Sequence, residues 1–99
     1  MTRHLHILPG AQTDLADIWT YTAERWSLAQ ARIYAAAMTE QLLLLCDHPD
    51  IAQGYGRSIP PVRIYRIKAH LVIFTDDGQM ISVIRVVHAR SNWQALFAD

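Results

Sequence analysis

Seven basic or imidazole side chains, Arg63, Arg66, Lys68, His70, Arg85, His88 and Arg90, crowd the second half of this 99-residue sequence, and Trp93 follows directly. Guanidinium groups grip phosphates with two parallel hydrogen bonds, imidazoles move protons near neutral pH, and an indole offers a face for base stacking. A metal-independent ribonuclease can be assembled from such parts. In it His70 or His88 would act as general acid or base, and arginines such as Arg90 would stabilise the pentavalent phosphate. The same side chains equally suit a protein partner, and ordinary solvated charge is the blandest alternative. Strand geometry limits the assembly. Side chains alternate between faces, so Arg63 points away from Arg66 and Arg85 away from His88, and not all seven share one pocket.

Other chemistries find little support. There is no glycine-rich phosphate loop, no serine nucleophile motif and no Cys/His pair in a recognisable setting. His4 and His6 have a spacing that binds zinc, yet no further Cys or carboxylate stands beside them in sequence. They read as solvent-facing strand residues, with no metal and no cofactor. Cys46 is the single cysteine, which fits a buried, inert thiol in a reducing compartment.

The elements that must position these residues are legible from period. His4 to Ile7 alternates as a short first strand, ended by Pro9-Gly10. Ala11, Leu15, Ile18, Trp19, Thr22 and Trp26 then recur at helical steps, with Asp14, Asp17 and Glu24 mostly outside and the two aspartates suited to the helix's positive N-terminal end. Ser27-Leu28-Ala29-Gln30 has the spacing of a capping box and opens a second helix. Its inner face is Leu28, Ala31, Tyr34, Ala35, Met38, Leu42 and Leu45, and Pro49 stops it. The link at Trp26-Ser27 is tight enough for an antiparallel helical hairpin.

Residues 50 to 61 read as a loop. Three strands follow, Val62 to Ile67, His70 to Thr75 and Ile81 to His88, joined by connections short enough to force antiparallel neighbours. Both strand faces are apolar, so one packs on the helices and the other expects a cover, such as a binding partner. Trp93 to Phe97 reads as a last helical turn or a docked extension. The whole is one α+β domain over residues 1 to 99, ordered β-α-α-β-β-β, with the helical hairpin packed on a small, mainly antiparallel sheet.

Composition bounds the setting. Apolar residues make up 52% of the chain, which argues for a compact globule. No apolar run approaches the roughly 20 residues of a membrane span, and the first residues lead into no signal-peptide core, so the cytoplasm is the expected location. The net charge of zero hides an asymmetry: residues 1 to 50 carry three arginines against six carboxylates, and residues 51 to 99 six cations against three. A basic half of this kind expects an acidic partner or a phosphate backbone.

In order and spacing the chain resembles the RelE/ParE superfamily of toxins from type II toxin-antitoxin systems. Ala11 to Tyr21 is similar to the first-helix signature of the ParE branch, and Gln30-Ala31 with Tyr34 to its second helix. Tyr65-Arg66-Ile67 and His70 to Phe74 resemble its middle strands, and Val83 to Arg90 its closing strand. The resemblance implies a cognate antitoxin, ParD-like or similar, that binds the toxin directly in a hetero-oligomeric complex and carries the contact with operator DNA. It also implies one of two activities, inhibition of DNA gyrase as in the ParE branch, or ribosome-dependent messenger RNA cleavage as in the RelE branch. The nuclease branch carries several lysines and arginines with a tyrosine or histidine near the C-terminus. Here Lys68 is the one lysine and no tyrosine follows Tyr65, so the gyrase branch is expected, without catalytic residues; a nuclease would use His70, His88 and Arg90.

The expected target contact is the last strand and tail, at Arg85, His88, Arg90, Trp93 and Phe97. The antitoxin is expected on apolar surface reaching Trp19, Tyr34 and Met38, three residues that equally suit a core. A regulatory binding module without toxicity would carry the same sequence.

Overall fold

The computed structural model describes residues 2–56 and 61–97; residues 57 to 60 of the expected loop, Arg57 among them, and the terminal Asp99 lie outside that set. Strand β1 (His4–Ile7) turns its histidines outward and packs Leu5 and Ile7 on the core. Helix α1 (Pro9–Arg25) begins on a proline, whose missing N–H falls where a helix has no acceptor to offer. Helix α2 (Leu28–Asp47) follows after two residues, and the Ser27 hydroxyl accepts the Gln30 amide at 2.9 Å, the serine half of the expected capping box. It ends at Asp47, with His48 between it and Pro49.

The stretch expected as loop holds a 3-10 turn, Pro49–Ile51, and a short strand β2 (Gln53–Tyr55). Three residues with one glycine at the centre and another directly after carry too little alternation to be seen in sequence. Strands β3 (Val62–Ile67), β4 (His70–Asp76) and β5 (Met80–His88) complete a five-stranded sheet in the order β1-β5-β4-β3-β2. All neighbours are antiparallel except β1 and β5, which run parallel with His4 opposite Met80. Lys68 takes a left-handed φ of 54° in the two-residue turn between β3 and β4.

Both helices lie on one face of the sheet. Between them and it stand Met38, Leu42, Leu45, Val72, Phe74, Ile81, Val83 and Val86, all essentially without solvent contact. Trp26 and Leu28 depart from their expected inward places: they are 71% and 49% exposed, because they flank the reversal at Ser27, where neither helix covers them.

The second face receives the chain's own tail. Leu71 and Ile73 on that face are buried, although no helix lies over them. A final 3-10 turn, Trp93–Phe97, leaves the end of β5 and sets Trp93 and Phe97 against Tyr55, with ring centroids 5.0 and 5.3 Å apart. Tyr55 belongs to β2 at the far edge, so the tail must cross the sheet to reach it. Tyr55 pairs with Val62 on the same face as Leu71 and Ile73, so the rings of Trp93 and Phe97 stand on the face expected to meet a partner.

Candidate functional site

Strand β1 pairs with β5 only as far as Val83, whose carbonyl receives the Leu8 amide at 3.0 Å before the chain turns into α1. Beyond that point the edge of β5 lies open to the helix. There the register between β4 and β5 slips: Phe74 faces Val83 while Ile73 faces Arg85, leaving Ile84 as a bulge. A bulge bends its strand and re-aims the side chains that follow. Gly10 permits the close approach of α1 at this point, since a Cβ there would stand 3.1 Å from the Arg85 Cδ and 3.4 Å from the Ile84 carbonyl.

Asp14 fastens the junction. It lies in the second turn of α1, too far along to serve the helix N-terminus as expected, and its carboxylate faces the sheet instead of solvent. Its Oδ2 accepts Arg85 Nε at 2.7 Å and the Val86 amide at 2.8 Å, while Oδ1 accepts Arg85 Nη2 at 3.0 Å. One side chain thus satisfies an orphaned strand amide and neutralises a half-buried guanidinium. The bond to Asp14 holds the Arg85 proton more tightly than usual.

A cleft of about 380 Å³ opens beside this junction. Its walls include Asp14, Asp17, His70, Arg85, His88 and Trp93. Arg85 and His88, three residues apart on a regularly paired stretch, keep the opposite faces that alternation expects, and both line this cleft because Arg85 reaches round the open edge of β5 to Asp14 on α1. The two histidines are opposite one another on β4 and β5, with ring centroids 5.3 Å apart and edge to face. His70 Nδ1 shares a 2.5 Å hydrogen bond with the Tyr34 hydroxyl, and His88 Nδ1 accepts the Arg90 amide at 3.0 Å. Burial, and then the neighbouring His88, push the His70 pKa below 6.5. Burial raises the Tyr34 hydroxyl, against a smaller opposing pull from the Ala69 amide.

The remaining cations are dispersed. Arg63 reaches the carbonyls of Pro49 and Ala52 on the helix side, at 3.4 and 3.3 Å, and Arg66 Nε donates to the Lys68 carbonyl at 2.8 Å. Arg90 is exposed and enters the cleft's architecture through its backbone. Phe97 turns to Tyr55. Sequence reasoning left out Asp14 and Asp17 as members of this site; two carboxylates spaced along a helix give no sign of which strand they will meet.

A second cavity, about 310 Å³, lies between the helices. Trp19, Tyr34 and Met38 all line it, with Leu15, Ile18 and Leu42 around them. Its wall is apolar apart from threonine hydroxyls and the Tyr34 ring tip, and Tyr34 is the link between this cavity and the histidine pair. Among the described residues no group of three His, Cys, Asp or Glu side chains is placed to hold a metal ion, and no helix is long and apolar enough to cross a membrane.

Comparison with known proteins places this geometry in a family. Residues 5–93 match the family profile described as the ParE toxin of the type II toxin-antitoxin system parDE. The chain belongs to the ParE toxin family. Toxin ParE1 of Caulobacter vibrioides is 33% identical over 85 residues, covering 86% of this chain and 88% of that protein. Toxin ParE1 of Mycobacterium tuberculosis is 28% identical over 91 residues, covering 91% and 93% respectively. The fold is shared with a solved structure described as a chromosomal ParDE system from P. aeruginosa, at a TM-score of 0.74 and 19% identity, covering 88% of this chain and 96% of the other. This chain is therefore a ParE-type toxin of a type II toxin-antitoxin system.

Proposed function

We propose that this ParE-family toxin acts in the cytoplasm by binding DNA gyrase and blocking replication, and that a cognate antitoxin neutralises it by direct contact. It works by binding and has no catalytic residues. The observation that carries this reading is the pair of carboxylates in the cleft at the end of β5. Arg85 is closed on Asp14 with two hydrogen bonds, and Asp17 adds a second negative group to the same walls. A phosphate backbone approaching His70 and His88 meets that negative charge first. A ribonuclease site needs the reverse, free cations where negative charge develops.

The target contact lies along Arg85, His88, Arg90 and Trp93, with Phe97 holding the tail in place. Arg90 is the exposed cation of the set. The antitoxin occupies the apolar cavity between the helices, filling the space walled by Trp19, Tyr34 and Met38. Contact with operator DNA passes through the antitoxin.

Induction of the chain in bacteria lacking its antitoxin, followed by pulse labelling within minutes, tests this reading. DNA synthesis falls first if gyrase is the target, and Arg90→Glu abolishes the effect while leaving antitoxin capture intact. If protein synthesis falls first, the ribosome-dependent nuclease replaces the gyrase reading. In that case His88→Ala slows RNA cleavage by about 10²-fold or more, the usual loss of a general acid or base.

A further inference from the structure

Helix α2 is apolar on more sides than the fold uses. Its inner arc carries Ala31, Met38, Leu42 and Leu45, all buried. At 3.6 residues per turn the opposite arc carries Ala29, Arg32, Ile33, Ala36, Glu40, Leu43, Leu44 and Asp47. Ile33 is 60% exposed and Leu43 54%, and every other member of this arc is exposed too. A helix that is apolar all round is normally buried all round. This outer arc is separate from the cavity between the helices, so filling that cavity leaves it bare.

The charges on the arc say what covers it. Arg32 stands near the N-terminal end, and Glu40 and Asp47 stand toward the C-terminal end. Among the described residues the ion pairs are Arg3 with Asp76 and Arg85 with Asp14, so neither Arg32 nor Glu40 is paired with another described residue. Asp47 accepts the Thr2 hydroxyl on Oδ1 at 2.6 Å. A stripe that is basic at one end and acidic at the other complements itself when reversed.

We infer that the outer face of α2 is a self-association surface, on which a second copy of this chain lays its own α2 antiparallel across a two-fold axis. In that register Ile33 packs on Leu44 of the second copy, Arg32 lies over its Leu43 and reaches its Asp47, and each contact occurs twice. Ala36 falls near the axis and lets the helices approach. The two Glu40 side chains also approach one another there, and their repulsion keeps the pairing loose. The chain's net charge of zero adds no further barrier. A single helix pair covers less than the roughly 800 Å² per partner of a standard interface, so the dimer belongs to the weak, concentration-dependent class.

Sedimentation velocity of the purified full chain at about 1 to 300 μM tests the inference, with circular dichroism confirming that each surface variant is folded. The expected result is a monomer-dimer equilibrium that Leu43→Glu or Ile33→Glu weakens at least about tenfold. Arg32→Glu and Asp47→Arg each weaken it, the double variant restores it, and Glu40→Gln tightens it. A monomer at every concentration overturns the inference, as does a dimer indifferent to Ile33→Glu and Leu43→Glu. If the chain is monomeric and these variants instead lose antitoxin binding, the face belongs to the antitoxin and the inference fails while the proposed function stands.

Discussion

Asp14 carries more of this fold than its place on a helix suggests. Its carboxylate takes three hydrogen bonds, from the Arg85 guanidinium and the Val86 amide, at a point where β5 has lost its neighbour on the β1 side. Asp14→Ala leaves a strand amide and a guanidinium without acceptors, and costs about 2 kcal/mol as bonds to charged groups do. Urea unfolding measures that loss; an unchanged midpoint would mean that water replaces the carboxylate. His70 sets a second expectation. Its folded pKa lies below the ordinary 6.5, so the unfolded chain binds the proton more readily. The stabilising contribution is complete above about pH 6.5, and falls away as the pH drops through that value toward the folded pKa. The melting temperature between pH 7.5 and 5.5 should therefore fall less steeply in His70→Asn than in the parent chain. Sequence placed His70 and His88 on adjacent strands, but it separated Arg85 from them, because alternation says nothing of where β1 stops pairing and leaves an open edge for the guanidinium to turn round.

At the scale of elements, periodicity was sufficient where an element is long and half-buried. The two helices, their link at Ser27 and the three long strands are all written in the spacing of apolar residues. The edge strand Gln53–Tyr55 is not, since three residues show barely one alternation, and its identity comes from pairing with β3. The tail is the other element whose role needed the structure. Trp93 and Phe97 look like residues kept for a partner, yet both rings rest on Tyr55. Tyr55→Ala removes two aromatic contacts of about 0.5 to 1.5 kcal/mol each, and should free the last turn. Limited proteolysis should then cut near Trp93 several-fold faster. An unaltered rate would mean that the tail is held elsewhere. Deleting residues 93 to 99 removes both rings from Tyr55, so loss of toxicity in that truncation reports on folding as well as on target contact.

The whole molecule has one core, walled by both helices and all three long strands. Phe74 sits at its centre without solvent contact. Phe74→Ala should cost about 3 to 5 kcal/mol, a large share of the roughly 5 to 15 kcal/mol that holds a domain together. Thermal unfolding followed by circular dichroism checks this, and a loss under about 1 kcal/mol would mean that the core relaxes around the gap.

The order β1-β5-β4-β3-β2 sets the first strand beside the last, with His4 opposite Met80. Synthesis runs from the N-terminus, at about 5 to 20 residues per second. Until β5 is made, Leu5 and Ile7 have no strand to pair with and the helices lack part of their core, since Ile81, Val83 and Val86 come after every other core residue they pack on. A ribosome stalled before Val86 therefore holds a chain that cannot complete its sheet, and the domain closes only once its fifth strand has been made.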